Sequence, residues 1–410
     1  MYKAEIIKIK KSDKLWKQLD HLCFLSKNLY NYANYIIRQE FIKNRTWIRY
    51  QDLNKKFIKE KQIDYFSLPN NSSQQILMIL DKNWKSFFKA IKDYMKNKNK
   101  YKKKPNLPKY KDKKTGRNIL TFSTNQCKIK NGYLYFPKKA NINSIKTRIK
   151  NLKMVRIIPD TYCYKIEIVY KQEKEIKNDL NEKNYLSIDL GINNLCSLTT
   201  NQILQPILIN GRIIKSINQY YNKKQALYQS YIGDKGISNR IKKLNFKREN
   251  LINNYFHHIS KWIVKYCIEH NIKNIVIGYN QGWKQEINIG KINNQKFVSI
   301  PYLKLIQQLQ YKAEENNINV IVQEESYTSK IDSLALESIE KHESYLGKRI
   351  KRGLFQSSIG KFINADVNGA INILRKVIGN DFIKNLSDRG YIGYPLEVIP
   401  SSYNFGFSKI

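Results

Sequence analysis

The sequence predicts a multi-domain protein of the mixed α/β and α+β class, and three observations lead to this prediction. The chain has 410 residues, of which 41% are hydrophobic, which is enough to form at least two cores. An aromatic content of 12% argues against a disordered protein. Helical and strand-like patterns are grouped separately in the first half, whereas they alternate in the second half.

The first half begins with a strand pattern over Tyr2–Ile9, and Ser12 with Asp13 then starts a long helical pattern. A second helix follows a break at 69–71. Aromatic and aliphatic residues on one of its faces predict core packing and not base stacking: Ile76, Leu77, Leu80, Trp84, Phe87, Phe88 and Ile91. A small, mostly antiparallel β-domain, to which the first strand returns, is predicted from four further runs: Ile119–Phe122, Gly132–Phe136, Val155–Ile157 and Tyr162–Tyr170.

A strongly basic segment, residues 95–117, separates the second helix from these strands. Pro105 and Pro108 exclude a continuous helix, so the segment is extended or looped and its amines could follow a phosphate backbone. A solvated basic linker is the alternative. The candidate nucleic-acid contacts in it are Lys100, Lys102, Lys103, Lys104, Lys109, Tyr110, Lys111 and Lys113.

The second half begins after a polar run, Lys171–Asn184, which is typical of a linker. Three strands, helices, a strand, a helix, a strand and a closing helix then predict an RNase H-like fold. Pro206 indicates that the third strand lies at a sheet edge. The elements are strands Tyr185–Asp189, Leu195–Thr199, Ile203–Ile209, Asn274–Gly278 and Ile318–Glu325, and helices Ile213–Tyr231, Ile237–His270, Tyr302–Asn316 and the one from Asp366.

Two acids at element ends suggest a metal site. Asp189 ends an apolar strand, with Gly191 permitting a tight turn close to a ligand, and Asp366 begins an amphipathic helix. Taken singly, each has a simpler interpretation, because an aspartate often closes a turn or complements a helix N-terminus.

The charge of the chain indicates a polyanionic partner. The formal net charge is +41, from 74 Lys and Arg against 33 Asp and Glu, and nucleic acid is the natural partner for such an excess. Five scattered cysteines without a C-x-x-C pair suggest reduced core residues of a cytosolic protein. No window has enough apolar residues for a membrane span, so we expect no membrane partner and a cytoplasmic, nucleoid-associated location.

Three ordered motifs make the C-terminal half resemble the RuvC-like nuclease domain of TnpB, a family of transposon-encoded, RNA-guided DNA endonucleases related to type V CRISPR effectors and Fanzor proteins. The motifs are Asp189-Leu190-Gly191-Ile192-Asn193-Asn194, Tyr327-Thr328-Ser329-Lys330 and Asn364-Ala365-Asp366-Val367-Asn368. The resemblance implies a wedge β-barrel over residues 1–10 and 96–178, interrupted by a helical recognition insert over 11–95. A nuclease domain then follows over 181–400.

The resemblance also implies DNA cleavage with two divalent metals, Mg²⁺ or Mn²⁺, held by carboxylates that include Asp189 and Asp366. The expected partners are a guide RNA from the element's own end and double-stranded DNA with a short flanking motif. A nuclease-dead RNA-guided repressor and a guide-independent transposase remain alternatives.

Two features depart from the family pattern. The insert over 330–364 has no cysteine, so we expect no zinc; it carries instead a basic turn whose candidate nucleic-acid contacts are Lys348, Arg349, Lys351 and Arg352. Gly278 stands where relatives have a catalytic glutamate. Some relatives carry a relocated glutamate three residues before the Thr-Ser pair, which selects Glu325 as the third carboxylate over Glu324.

Overall fold

The computed structural model describes residues 2–172, 179–280, 298–387 and 391–400. The chain divides into two compact units, Met1–Lys174 and Glu175–Ile410.

The first unit combines four helices with two small antiparallel sheets. The predicted apolar face of the fourth helix is core, because Ile76, Leu80 and Trp84 are fully buried. The indole nitrogen of Trp84 donates to Asn34 Oδ1 at 3.1 Å, which satisfies its buried N–H group. The helices are α1 (Trp16–Asn44), α2 (Tyr50–Lys59), α3 (Ile63–Phe66) and α4 (Asn70–Lys96).

The antiparallel domain predicted for the first unit is confirmed, including the return of its first strand. Strand β1 pairs with β7 along its full length, in the sheet order β1-β7-β6-β2. A second sheet has the order β3-β4-β5. No ladder joins the two sheets in the part of the chain described, so hydrogen bonding does not close them into one barrel. The strands are β1 (Tyr2–Lys10), β2 (Leu120–Ser123), β3 (Lys128–Lys130), β4 (Tyr133–Tyr135), β5 (Ile145–Lys146), β6 (Leu152–Pro159) and β7 (Cys163–Lys171).

The second unit is built on a six-stranded mixed sheet of order β12-β11-β8-β9-β10-β16. Strand β8 lies antiparallel to β9 and parallel to β11, and β11 lies parallel to β12. The carboxyl ends of β8, β11 and β12 therefore meet at one edge of the sheet. The strands are β8 (Asn181–Asp189), β9 (Asn194–Thr200), β10 (Ile207–Asn210), β11 (Ile272–Gly278), β12 (Asn319–Gln323) and β16 (Leu396–Val398).

Helices cover both faces of this sheet, as the alternation along β11 shows. Ile275 and Ile277 pack in a cluster with helices α5, α6 and α7, whereas Val276 packs with α8 on the other face. The element order predicted for this half is confirmed. The helices are α5 (Arg212–Ser230), α6 (Asn239–Glu269), α7 (Tyr302–Glu315), α8 (Ala365–Ile378) and α9 (Ile383–Ser387).

The insert before α8 forms a three-stranded antiparallel sheet of β13 (Lys348–Lys351), β14 (Leu354–Gln356) and β15 (Phe362–Asn364). It is organised by the carboxylate of Asp332, which is fully buried and accepts hydrogen bonds from two segments of the insert. The predicted basic turn is the β13–β14 hairpin.

Three sequence predictions about this unit need correction. Strand β10 lies between β9 and β16, so the edge position inferred from Pro206 is wrong; the proline precedes the strand, where its missing N–H costs no ladder bond. Part of the predicted linker, 181–184, belongs to β8, whose polar start extends past the core, and 173–178 lie outside the described residues. Strand β12 ends at Gln323, two residues before Glu325.

All five cysteines are buried and none of them forms a disulfide, which agrees with their prediction as reduced core residues. No described helix is both long and apolar enough to cross a membrane.

Candidate metal site

Asp189 is placed by the end of β8 and the turn that follows. The turn is tight, because a β-carbon added to Gly191 would lie 2.5 Å from the carbonyl oxygen of Asn194. The hydroxyl of Tyr302 donates to the Gly191 carbonyl at 2.8 Å and fixes this turn against α7. The Asp189 carboxylate is therefore held by a rigid strand and a braced turn.

Asp366 lies in the first turn of α8. Asn364 caps this helix, since its Oδ1 accepts from the backbone amides of Asp366 and Val367 at 3.0 and 3.3 Å. Asn194, on β9, donates its side-chain amide to Asp366 Oδ2 at 2.8 Å. The cap and this contact orient the carboxylate toward the end of β8.

Glu325 lies two residues beyond β12, on a segment tied to neighbouring elements. Its backbone amide donates to Asn280 Oδ1 at 3.0 Å, just past the end of β11. The next turn is held to α8, where the Asn372 amide donates to the Thr328 carbonyl at 2.8 Å. Glu325 Oε2 is a buried oxygen without a hydrogen-bond partner.

Glu324 faces another way. Its carboxylate is exposed and pairs with Lys376 Nζ at 2.8 Å. The sequence left the choice between the two glutamates partly open, and this geometry supports Glu325 as the inward-facing acid.

Two glycines allow these elements to approach closely. A β-carbon on Gly369, one turn after Asp366, would lie 2.9 Å from Asp189 Oδ2. A β-carbon on Gly278 would lie 2.7 Å from Glu325 Oε2 and 2.4 Å from Ile373 Cδ1. A side chain at position 278 would need the space that lies against the Glu325 carboxylate. A residue larger than glycine at this position is therefore incompatible with the present position of Glu325.

This steric relation predicts the effect of Gly278→Ala. The added methyl group must displace Glu325, Ile373 or both, and we expect the affinity for Mn²⁺ to fall about 10- to 100-fold, the range typical of disturbed metal-site support. The matched control is Gly353→Ala, where an added β-carbon meets nothing within 4 Å. Equal Mn²⁺ affinities of the two variants in calorimetric titrations, with unchanged thermal midpoints, would show that Gly278 has no such role.

The three acids differ in their electrostatic environment. Burial, followed by the negative charges of Glu325 and Asp366, holds the pKa of Asp189 well above its ordinary value, and Arg349 with the Leu190 amide acts in the opposite direction. Burial and then Glu324 raise the pKa of Glu325 to about 7, against the lowering effect of Lys376. Ionisation of these acids in the absence of a cation is therefore disfavoured, and a bound cation would offset that cost.

The oxygen donors of these residues have the chemistry that a divalent cation prefers. Asp189, Glu325 and Asp366 offer hard oxygen ligands, which Mg²⁺ and Mn²⁺ prefer, and Glu325 has an unpartnered buried oxygen. Arg349 NH2 lies 3.5 Å from Asp366 Oδ1 and balances part of the charge. Among the described residues, no group of three or more His, Cys, Asp or Glu forms a ready-made ligand set. Like charges repel and Arg349 pulls on Asp366, so binding would require the carboxylates to move together.

The candidate nucleic-acid residues fall into two groups, one in each unit. In the first, residues 98–119 run along α1, where Asn31 and Asn34 hold the backbone of Lys111 and Pro108. The Arg38 guanidinium lies 4.8 Å from the ring centroid of Tyr110. The remaining candidates in this group have exposed side chains: Lys100, Lys102, Lys103, Lys104, Lys109, Lys111 and Lys113.

The second group is the β13–β14 hairpin. Lys348, Lys351 and Arg352 are exposed, and Arg349 reaches the acidic site. Sequence reasoning predicted that this hairpin contacts nucleic acid, but it missed the contact of Arg349 with Asp366. It also missed Asn194 and Gly369, although both lie within or directly after the two motifs that carry the aspartates.

Comparisons with known proteins find two matching families and one curated relative. Residues 167–284 match the OrfB_IS605 family, described as a probable transposase, and residues 302–373 match the Cas12f1-like TNB domain family. A TnpB-like protein, ORF457, of Acidianus two-tailed virus is 23% identical over 422 residues, which cover 90% of this chain and 86% of that protein.

Two solved structures are similar over most of the chain, at low identity. A Cas12f1–sgRNA–target DNA complex matches with a TM-score of 0.38 and 12% identity, covering 90% of this chain and 98% of that one. A CRISPR-Cas12f ternary complex matches with a TM-score of 0.37 and 11% identity, covering 87% and 82%.

The two family matches follow each other in sequence, begin at the end of the first unit and include the segments that carry all three acids. They make this part of the chain similar to probable transposases and to the TNB domain of Cas12f1-like proteins. The chain is similar to proteins of the TnpB family.

Proposed function

We propose that this protein is an RNA-guided DNA endonuclease with an RNase H-like, RuvC-type nuclease domain over residues 181–400. The observation that supports it most is that Asp189 lies near the edge where β8, β11 and β12 end, close enough to Glu325 and Asp366 for their charges to act on it. The strands follow the order β10-β9-β8-β11-β12, and β9 alone is antiparallel to both of its neighbours in this run. This arrangement agrees with such a fold.

Asp189, Glu325 and Asp366 would hold the divalent metals. When bound, these metals supply Lewis-acid activation of a water molecule and stabilisation of the leaving oxygen. The protein's own contribution is to fix the three carboxylates from separate elements. Asn194 orients Asp366, Tyr302 braces the turn after Asp189, and Gly278 leaves room for Glu325.

The first unit would hold the nucleic acids. We assign residues 1–10 and 96–178 to a wedge domain and 11–95 to a helical recognition domain. The exposed lysines between 100 and 113 would bind phosphates, which position a duplex without reading its sequence. Base pairing with the guide RNA would select the target, and the protein would read only a short flanking DNA motif. The insert over 330–364 would fold without zinc, since it is held by Asp332.

The lysine assignment predicts salt-sensitive binding. Replacing Lys102, Lys103 and Lys104 together with Gln should weaken binding to every target alike and reduce the salt dependence of log K by up to about 3, close to one unit per lost duplex phosphate contact. Binding isotherms at several salt concentrations, with two unrelated targets, measure this. The triple Lys→Arg variant keeps the charges and should bind like the wild type. A loss confined to one target would contradict phosphate binding.

Purified protein tests the proposal against its two alternatives. The gene is expressed with its downstream flank, the co-purifying RNA is sequenced, and a plasmid carrying the matching target is incubated with Mg²⁺. Cleavage that disappears after removal of the RNA supports a guided nuclease. Guided binding without cleavage would indicate a nuclease-dead repressor, and cleavage that persists without RNA would indicate a guide-independent transposase.

A further inference from the structure

The helical hairpin α5–α6 extends beyond the core of the second unit as an arm, residues 219–250. All of these residues are described, and Ile241 is the single buried one among them. The arm is still well ordered locally. Gln229 Nε2 donates to the carbonyls of Gly233 and Gly236 at 2.6 and 3.2 Å, and both glycines have a positive φ. The Ser238 hydroxyl caps α6 by accepting from the Ile241 amide at 3.3 Å.

The root of the arm is fixed to the body of the unit. Arg248 donates to Asn218 Oδ1 at 2.7 Å and to the Ser299 carbonyl at 2.8 Å, and its guanidinium lies 4.9 Å from the ring centroid of Tyr221. The arm is therefore a preformed projection and not a loose loop, although it buries almost no apolar surface.

The surface of the arm combines exposed aromatic and aliphatic side chains with positive charge. Tyr220, Leu227 and Tyr231 are 58%, 42% and 69% exposed and follow one another at seven- and four-residue intervals, which places them on one stripe that runs along α5 to its C-cap residue, Tyr231. On α6, three exposed cations recur at three- and four-residue intervals: Arg240, Lys243 and Lys247. Residues 219–250 hold eight Lys and Arg against two acids.

The charge and the exposed aromatic side chains of the arm indicate the chemical class of its partner. An excess of positive charge on a chain that already carries +41 disfavours a second copy of the same protein and favours a polyanion. Exposed tyrosines on the same arm as such charges suit unpaired bases, which stack on aromatic rings, whereas the bases of a duplex are already stacked. Within the part of the chain that the structure describes, Arg240, Lys243 and Lys247 form no ion pair with an acidic residue.

We propose that the α5–α6 arm binds an unpaired stretch of RNA, with Tyr220 and Tyr231 stacking on bases and the α6 cations contacting phosphates. The choice of RNA rests on the proposed guided function, in which the unpaired stretch belongs to the bound RNA. The proposal adds a second RNA contact surface, carried by the nuclease-domain unit itself.

Photocrosslinking tests this site specifically. Full-length protein is irradiated with a uridine-rich, unstructured RNA containing 4-thiouridine, without Mg²⁺ and without target DNA, and adducts are mapped by mass spectrometry. We expect adducts within 219–250. Tyr220→Ala with Tyr231→Ala should reduce them about tenfold, whereas Tyr220→Phe with Tyr231→Phe, which keeps the rings, should leave them within twofold of the wild type.

A charge-matched pair of variants on the same helix completes the test. Lys243→Gln with Lys247→Gln should weaken RNA binding and lower the salt slope by about 1.4, the value for two single-strand phosphate contacts. Lys261→Gln with Lys265→Gln, an exposed pair outside the arm, should change the slope by less than half of that. No adduct in the arm, equal effects of the two pairs, or equal competition by duplex DNA would overturn the proposal. Because no cleavage is measured, an inactive nuclease would count against the proposed function alone.

Discussion

Glu325→Gln is expected to abolish DNA cleavage while guide-dependent DNA binding stays within about twofold of the wild type. The substitution keeps the size of the side chain and removes the negative charge that would bind metal. A loss of roughly 4 kcal/mol of transition-state stabilisation, which corresponds to about a thousandfold in rate, is the scale expected for a metal ligand. Asp189→Asn and Asp366→Asn should give the same result in the same plasmid assay.

Glu324→Gln is the matched control for this prediction. The two glutamates are adjacent, but Glu324 is exposed and pairs with Lys376, and exposed pairs of this kind contribute about 0–1 kcal/mol. We expect its cleavage rate to be near that of the wild type. If Glu325→Gln is active, or if only Glu324→Gln is inactive, then Glu325 is not the third carboxylate.

Asp332→Ala is expected to destabilise the insert strongly. Asp332 Oδ1 accepts from the amides of Leu334 and Ala335, and Oδ2 accepts from Ser357 and from the amide and hydroxyl of Ser358, which makes five hydrogen bonds to one fully buried carboxylate. Truncation leaves these buried donors without a partner and should cost about 3–5 kcal/mol. Hydrogen exchange of residues 332–337 and 354–358 should accelerate together.

Glu343→Ala, in the same insert but exposed, controls for the removal of an acid, and we expect an effect below about 0.5 kcal/mol. Similar exchange rates in the two variants would mean that the buried carboxylate does not organise the insert. Elemental analysis adds an independent check, because a stoichiometric zinc ion would give the insert a different source of stability.

The sequence could predict the elements whose periodicity is strong and local. The strands that end at Asp189 and Gly278 are short apolar runs, and the helix from Asp366 has a cap and an amphipathic face, so their positions followed from pattern alone. The final strand β16 was missed because its three residues, Leu396–Val398, are short, partly exposed and formed only by pairing with β10.

The site was less predictable than the fold, since its contacts join residues far apart in the chain. Nothing local to Gly278 indicates that Glu325 lies against it, and this relation depends on the parallel pairing of β11 with β12. The contact of Arg349 with Asp366 likewise depends on how the insert sheet folds back onto α8. The sequence was sufficient to identify the charged residues of the site, whereas the structure was needed to show which residues they contact.

Manganese bound to crystals of the protein tests the central claim most directly. Mn²⁺ replaces Mg²⁺ at oxygen-ligand sites, and its anomalous scattering locates it without any assay of activity. We predict anomalous density bounded by the carboxylates of Asp189, Glu325 and Asp366, with reduced density in Glu325→Gln crystals soaked identically. Density at Glu324, or equally strong density in the Glu325→Gln crystals, would contradict a metal site built on the relocated glutamate.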